Sequence, residues 1–395
     1  MGSISQAITE MGLDLYNELN KNSANKNIFF SPMSISAGLV MVLLGARGNT
    51  ANQMQMVSVN KTHVHAFIFY IENEASLFLL CLKPSPSGCD LVGGIHKEFQ
   101  TLLSQLKNLN KSYVLSLANS LFAQKGYNFH QELYGAMLQT VDFGSATEAA
   151  RQTINSWVES KTQGKIRELF VPGVIDSTAV LVLVNAIYFK ANWEYKFEEK
   201  HTMPRVFRIN QSKSVQMMYQ KDRFKIAHIQ EMNAQILMLP YAGKSLNMII
   251  LLPDDITGLE QVERAMTYEK LTHWTSLESM REREVEVYLP RFKLEDTFEL
   301  NLPLKEMGMI DVFKQSKADL SGMAPSRRLF LSKVVHKAYV EVNEEGTLAA
   351  AATGSVVVNR SYPSGALFMA DHPFLFFIQH NPTNTILFLG KLCSP

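Results

Sequence analysis

Side chains able to do chemistry are plentiful in this 395-residue chain, but few stand at spacings that would let them act together. The 10 histidines are scattered, and none sits beside a serine, cysteine or carboxylate in the pattern that a nucleophile and its base require. No G-x-S-x-G elbow occurs, and Gly243-Lys244-Ser245 has Met238 where a phosphate loop needs its earlier glycine. His63 and His65 border a hydrophobic run with no carboxylate or thiol at ligand spacing, so neither a metal nor another cofactor is expected. Cys81, Cys89 and Cys393 are odd in number and form no disulfide framework, which fits a reducing compartment. No catalytic residue can be named, and the chain reads as something other than an enzyme.

The stretch whose composition demands an explanation is Glu344 to Pro363, EEGTLAAAATGSVVVNRSYP. Small residues come first, from Gly346 and Thr347 through Ala349, Ala350, Ala351, Ala352 and Thr353 to Ser355. Three valines then lead to Arg360 and Ser361. Leu348 and the four alanines could form a surface helix, since alanine has the highest helix propensity. Gly346, Gly354 and the valines would confine that helix to about two turns, which is marginal in water. A plain surface loop would make Arg360 one exposed cation among many and leave the small residues unexplained. A segment that must become a strand inside an existing sheet does account for them. Thr347, Ala349, Ala351 and Thr353 would then share one face, where any bulky or charged side chain would be forced into a packed core.

The elements that must position this stretch read as one domain, residues 1–395. With 46% hydrophobic and 19% charged residues the chain can bury a large core, and no linker or charge block divides it. The net charge of +1 supplies no field for nucleic acid or an anionic membrane. Lys97, Lys107 and Lys111 read as a solvated helix face. Met1 to Gly12 lacks the basic start and apolar run of a signal peptide, and Gln6 stands where a myristoylation signal needs Ser or Thr. The sequons at Asn60, Asn110, Asn210 and Asn359 are therefore taken as chance matches. Apolar spacing predicts helices over Ile8–Leu19, Ser34–Leu44 and Thr147–Lys161. Strands are predicted at Val180–Phe189, Ile236–Leu239, Leu246–Leu252, Val285–Leu289, Leu329–Val342, Phe374–Ile378 and Thr385–Leu389. Helices first and mostly antiparallel strands later give an α+β fold with more than one sheet. Val64–Leu82 is nearly long enough to span a bilayer. Glu72, Asn73 and Glu74 at its centre argue for a core strand pair or an irregular insertion instead.

The Glu344–Pro363 stretch resembles the hinge and reactive-centre loop of inhibitory serpins. Six groups of residues match serpin motifs in serpin order along nearly the whole chain: Asn27 to Pro32 with Ser34; Leu183 to Ala186 with Phe189, Lys190 and Trp193; Leu251 to Pro253; Leu289 to Phe292; Ala318 to Gly322; and His336-Lys337 with His372 to Phe374. The Ser-Pro ending is similar to the ovalbumin-like branch. The resemblance implies a single α+β domain with three β-sheets, surrounding helices and an exposed loop at about 344–366. It implies that Ser31, Ser34, Asn185 and His336 form the polar cluster that controls sheet opening, and that Trp193 and Glu344 lie where the loop first enters. The hinge is Glu344, Glu345, Gly346, Thr347, Leu348 and Ala349 to Thr353, and the scissile bond is Arg360–Ser361. The partner implied is a trypsin-like serine protease held as a covalent acyl complex. The protein would be a monomer, cytoplasmic or released without a cleaved signal peptide. A non-inhibitory serpin, storage or chaperone-like, or a defective splice isoform is the alternative.

The sequence departs from the family at three places. Leu348 replaces a usual glutamate, at a position expected to face outward where size costs little. Val64–Leu82 replaces a usually polar loop, and Phe129–Tyr134 shortens a helix whose loss would weaken the sheet beneath it.

Overall fold

Ser31 opens the second helix by accepting the Ser34 backbone N–H at 3.1 Å, with Pro32 at the first helical position where its missing N–H costs nothing. This helix, α2 (Pro32–Leu43), is buried along most of its length, as its all-round apolar sequence requires. The first helix, α1 (Gly2–Asn20), begins at Gly2 rather than Ile8 and buries Ile4, Ile8, Met11, Leu15 and Tyr16. The computed structural model describes residues 2–21, 23, 25–58, 113–130, 137–209, 212–276, 278–325, 329–347 and 365–395. After α3 (Gly48–Ser58), helix α4 (Thr147–Lys161) matches its predicted span, with Ile154 and Val158 inward and Trp157 edge-on to Phe122 at 5.5 Å. Three short helices follow, α5 (Leu259–Ala265), α6 (Tyr268–Trp274) and α7 (Asn301–Glu306).

Strands β1 (Ile28–Phe30), β15 (Thr385–Leu392), β14 (Phe374–His380), β8 (Leu246–Pro253), β7 (Ala234–Pro240), β6 (Lys213–Ile229), β9 (Arg281–Pro290) and β13 (Ala366–Met369) form one sheet in that order, with β5 (Met203–Phe207) beside β6. The second sheet runs β10 (Phe292–Glu299), β11 (Lys333–Asn343), β12 (Gly346–Thr347), β4 (Leu181–Asn192), β2 (Tyr113–Gln124) and β3 (Leu138–Val141). The three sheets implied by the resemblance are present as two hydrogen-bonded assemblies, because the 17-residue β6 pairs with β5 at its start, with β9 along its middle and with β7 at its end. Pairing is mostly antiparallel, as expected; β4–β11, β2–β3 and β9–β13 are parallel. Leu329 to Ser332, read as strand from sequence, precede β11 without joining it.

One face of the six-stranded sheet packs on the nine-stranded sheet through Ile187, Phe189, Val340, Phe376 and Phe388. The other face, with Tyr188, Val335 and Tyr339, is covered by Ile154 of α4 and by Ile166 and Phe170 of the segment after it. Strand β4 is thus buried on both sides, which explains its continuous apolar run. No described helix is long and apolar enough to cross a membrane, and no cluster of metal-ligating side chains occurs among the described residues. Val64–Leu82, the His63 and His65 pair, Cys81, Cys89, Lys97, Lys107, Lys111, the four sequons, Leu348 to Thr353, Arg360 and Ser361 lie outside the described residues. In the shortened region Phe129 and His130 are irregular, His130 N–H donating to the Met323 carbonyl at 3.0 Å.

Candidate functional site

Strands β4 and β11 divide the six-stranded sheet at a fork. Over seven residue pairs, Lys333–Tyr339 with Val182–Tyr188, they are directly hydrogen-bonded and parallel. Beyond Tyr188 they part, and the first two residues of the small-residue stretch lie between them: Thr347 opposite Val342 and Ala191, Gly346 opposite Asn343 and Asn192, antiparallel to both. Gly346 has φ +144, and a Cβ there would stand 2.2 Å from the Ala191 carbonyl oxygen, so the chain can turn into the gap only at a glycine.

Trp193, Glu344 and Glu345 converge at the mouth of the fork. The Trp193 indole N–H donates to the Asn343 carbonyl at 3.0 Å and its backbone N–H to the Glu345 carbonyl at 2.8 Å. Glu344 is buried, and its carboxylate accepts from Nε and Nη2 of Arg291, each at 2.5 Å, and from the Thr202 hydroxyl. Glu345 pairs with Lys196. The Thr347 side chain is fully buried, its hydroxyl 3.0 Å from that of Tyr241, a ring stacked on Trp193 at 4.6 Å. Tyr241, Arg291 and Thr202 were not singled out from sequence; Arg291 was visible within the Leu289–Phe292 motif, whereas Tyr241 and Thr202 carry no local signal.

Lower on the same strands lies the polar cluster. The register sets Asn119 on β2 beside Asn185 on β4 and Asn185 beside His336 on β11 in one row across the sheet. His336 Nε2 accepts the Ser31 backbone N–H at 3.1 Å, so its proton is on Nδ1 and is donated to Asn185 Oδ1. Asn185 Nδ2 donates to the Ser34 carbonyl at 2.5 Å and to Asn119 Oδ1 at 2.7 Å. The Ser34 hydroxyl donates to that same oxygen at 3.1 Å, and the Ser31 hydroxyl donates to the Leu387 carbonyl at 2.6 Å. Ser31, Ser34, Asn185 and His336 are therefore brought together in one hydrogen-bonded cluster. Asn119 is a fifth member that the sequence reading missed, and only the register of β2 places it there. The start of α2 thus holds β11 through Ser31 and His336, and β4 through Ser34 and Asn185. Of these side-chain bonds, the one joining His336 to Asn185 spans the fork.

Burial drives the His336 pKa down to about 3, since protonation would set an N–H against the Ser31 N–H. The unfolded chain then holds the extra proton between pH 6.5 and 3, so this histidine lowers stability as pH falls through that window. Asp296 on β10, opposite Ala338 of β11 and diagonal to His336, has the reverse sign. Burial raises its pKa to about 6 against a partly compensating bond from the Phe29 N–H, and its Oδ2 has no hydrogen-bond partner among the described residues. Here the native form holds the extra proton between pH 3.8 and 6, so stability falls as pH rises and the full cost is carried at neutral pH. Asp296→Asn is expected to raise the melting temperature by ~2–4 °C at about pH 7.5 and to have no effect near pH 4, measured by thermal denaturation.

A family model described as Serpin (serine protease inhibitor) matches residues 6–395. Serpin B11 of Homo sapiens is 48% identical over 404 residues, and leukocyte elastase inhibitor of Sus scrofa is 47% identical over 408, each alignment covering 100% of both chains. Uncleaved ovalbumin matches the structure with a TM-score of 0.84 at 38% identity over 100% of both chains. A loop-inserted structure of a cleaved ovalbumin mutant matches with a TM-score of 0.81 at 36% identity, again over 100% of both. With a glycine-led hinge seated in a forked sheet above a Ser-Asn-His cluster, and relatives alike over their full length, the chain belongs to the serpin family of serine protease inhibitors, in its ovalbumin-like branch.

Proposed function

We propose that the protein traps trypsin-like serine proteases covalently, with Arg360 as bait and insertion of residues 347–353 between β4 and β11 as the trapping step. The observation that carries this reading is the seating of Thr347: the fork already accepts this hinge residue and is closed three positions further down by the Tyr188–Tyr339 pair. The protease serine attacks the Arg360 carbonyl, the Arg360–Ser361 bond breaks with the Ser361 amine leaving, and the acyl-enzyme's freed loop can move. A strand that continued the β12 register would set Ala349 between Val340 and Phe189, Ala351 between Ala338 and Ile187, and Thr353 between His336 and Asn185. Those neighbours are buried, so the three side chains must be small. Leu348 would lie between half-buried Glu341 and Lys190, where size is tolerated. Ala350 would meet Tyr188 and Tyr339, rings 6.0 Å apart, so this position also suits a small residue.

Insertion replaces one parallel ladder by two antiparallel ones, the geometry with the more stable pairing per residue. Each added backbone hydrogen bond contributes about 0.5–1.5 kcal/mol. The uncut protein is therefore metastable and acts once, without a cofactor. The leukocyte elastase inhibitors among its relatives are named for a different protease; Arg360 favours one with a carboxylate in its primary pocket. We place the protein in the cytoplasm as a monomer. Mixing it with trypsin is expected to give a denaturant-resistant adduct on a gel, whereas cleavage without adduct would favour a non-inhibitory serpin.

A further inference from the structure

We propose that Tyr241 is the positioning residue that seats Thr347 in the fork and so sets how readily loop insertion begins. The inference deepens the trapping mechanism above and rests on it. Both side chains are fully buried, and their hydroxyls are 3.0 Å apart. The Tyr241 ring cannot swing away. It is stacked on Trp193 at 4.6 Å with 10° between planes, meets Phe189 edge-on at 5.4 Å, and its backbone N–H donates to the Leu246 carbonyl at 2.9 Å. Trp193, on the other side, is fixed to the hinge backbone through Asn343 and Glu345. The phenol is thus aimed at the point in the gap where the Thr347 side chain arrives.

This arrangement distinguishes two demands on position 347. Smallness is met by alanine, as at Ala349 and Ala351; a hydroxyl is needed only where a buried phenol waits for a partner. If Thr347 leaves the gap, the Tyr241 hydroxyl stays buried and loses that bond, which is unfavourable. The pair therefore favours the docked hinge, and a docked hinge is a strand already begun when the bait bond is cut. Insertion competes with hydrolysis of the acyl-enzyme, so a slower start consumes more inhibitor for each protease trapped.

The test is a double-mutant cycle of Tyr241→Phe and Thr347→Val, with Thr347→Ser as the variant that keeps the hydroxyl. Each single variant is expected to raise the number of inhibitor molecules consumed per trypsin trapped about threefold, the double variant no further, and Thr347→Ser to stay near wild type. A Tyr241→Phe protein indistinguishable from wild type, or a double variant whose effect is the product of the singles, would overturn the inference. The same cycle read in the melting temperature of the uncut protein does not depend on trapping. Additive shifts there would also sink the Tyr241–Thr347 pairing, while a wild type that forms no adduct but shows coupled shifts retains it and discards the protease-trapping function instead.

Discussion

Thr347→Arg is expected to turn the inhibitor into a substrate: trypsin still cuts the Arg360–Ser361 bond, but little or no covalent adduct survives. Thr347 is completely buried between Ala191 and Val342, within the core shared by the two sheets. A guanidinium there would be a buried cation, and an uncompensated buried charge costs roughly 3–5 kcal/mol. Glu344 cannot serve as its partner, because that carboxylate already holds Arg291. The hinge would stay out of the fork, and the acyl-enzyme would hydrolyse before a strand could form. The number of inhibitor molecules consumed per protease should rise by more than about tenfold, since a barrier change of this size exceeds one decade in rate. The measurement is a titration of trypsin activity beside a denaturing gel. A second readout follows from the same physics: wild-type protein nicked at the bait bond should resist heat better than intact protein, and the nicked variant should not. An adduct yield for Thr347→Arg equal to wild type would show that trapping does not require this residue to enter the sheet.

Arg360→Ala is expected to abolish trapping of trypsin while leaving the fold and the fork intact. In a trypsin-like pocket the bait arginine forms paired, charge-assisted hydrogen bonds to a buried carboxylate. Truncating one partner of such a pair costs about 2–5 kcal/mol, equivalent to a loss of roughly 30- to 5,000-fold in the rate of trapping. Alanine suits the small pocket of an elastase-like enzyme instead. The variant should therefore gain measurable inhibition of such an enzyme while keeping the wild-type melting temperature, because position 360 lies beyond the residues that would enter the sheet. Progress curves against trypsin and an elastase-like protease decide the matter. Undiminished trypsin inhibition would place the bait elsewhere in the loop.

Much of this molecule is written locally. Ser31-Pro32 specifies the start of α2 through a cap and a pre-set φ, and the continuous apolar run of β4 announces a strand buried on both faces. The run of small residues from Gly346 to Thr353 is legible as composition alone, and Gly346 stands where only a glycine can pass the β4 backbone. What sequence could not supply is pairing across long separations. Asn119 looks like any polar residue in a strand until the register places it beside Asn185, and Tyr241 looks like an end-of-strand aromatic until the fold aims its hydroxyl at Thr347, 106 residues away. The burial of Tyr188 and Tyr339 is likewise decided by the packing of α4 and the segment after it.

The sequence by itself determined the family and the α+β class, and it is the ground for proposing the hinge and Arg360 as bait, because these depend on residue type and on spacing along one stretch of chain. The tertiary structure decided where the sheet forks, which side chains hold each of its halves, and that Asp296 and His336 respond to acid in opposite directions. Strand pairing and burial are set by the whole fold at once, and the energy of a polar group depends on the partners and the solvent that this fold leaves to it.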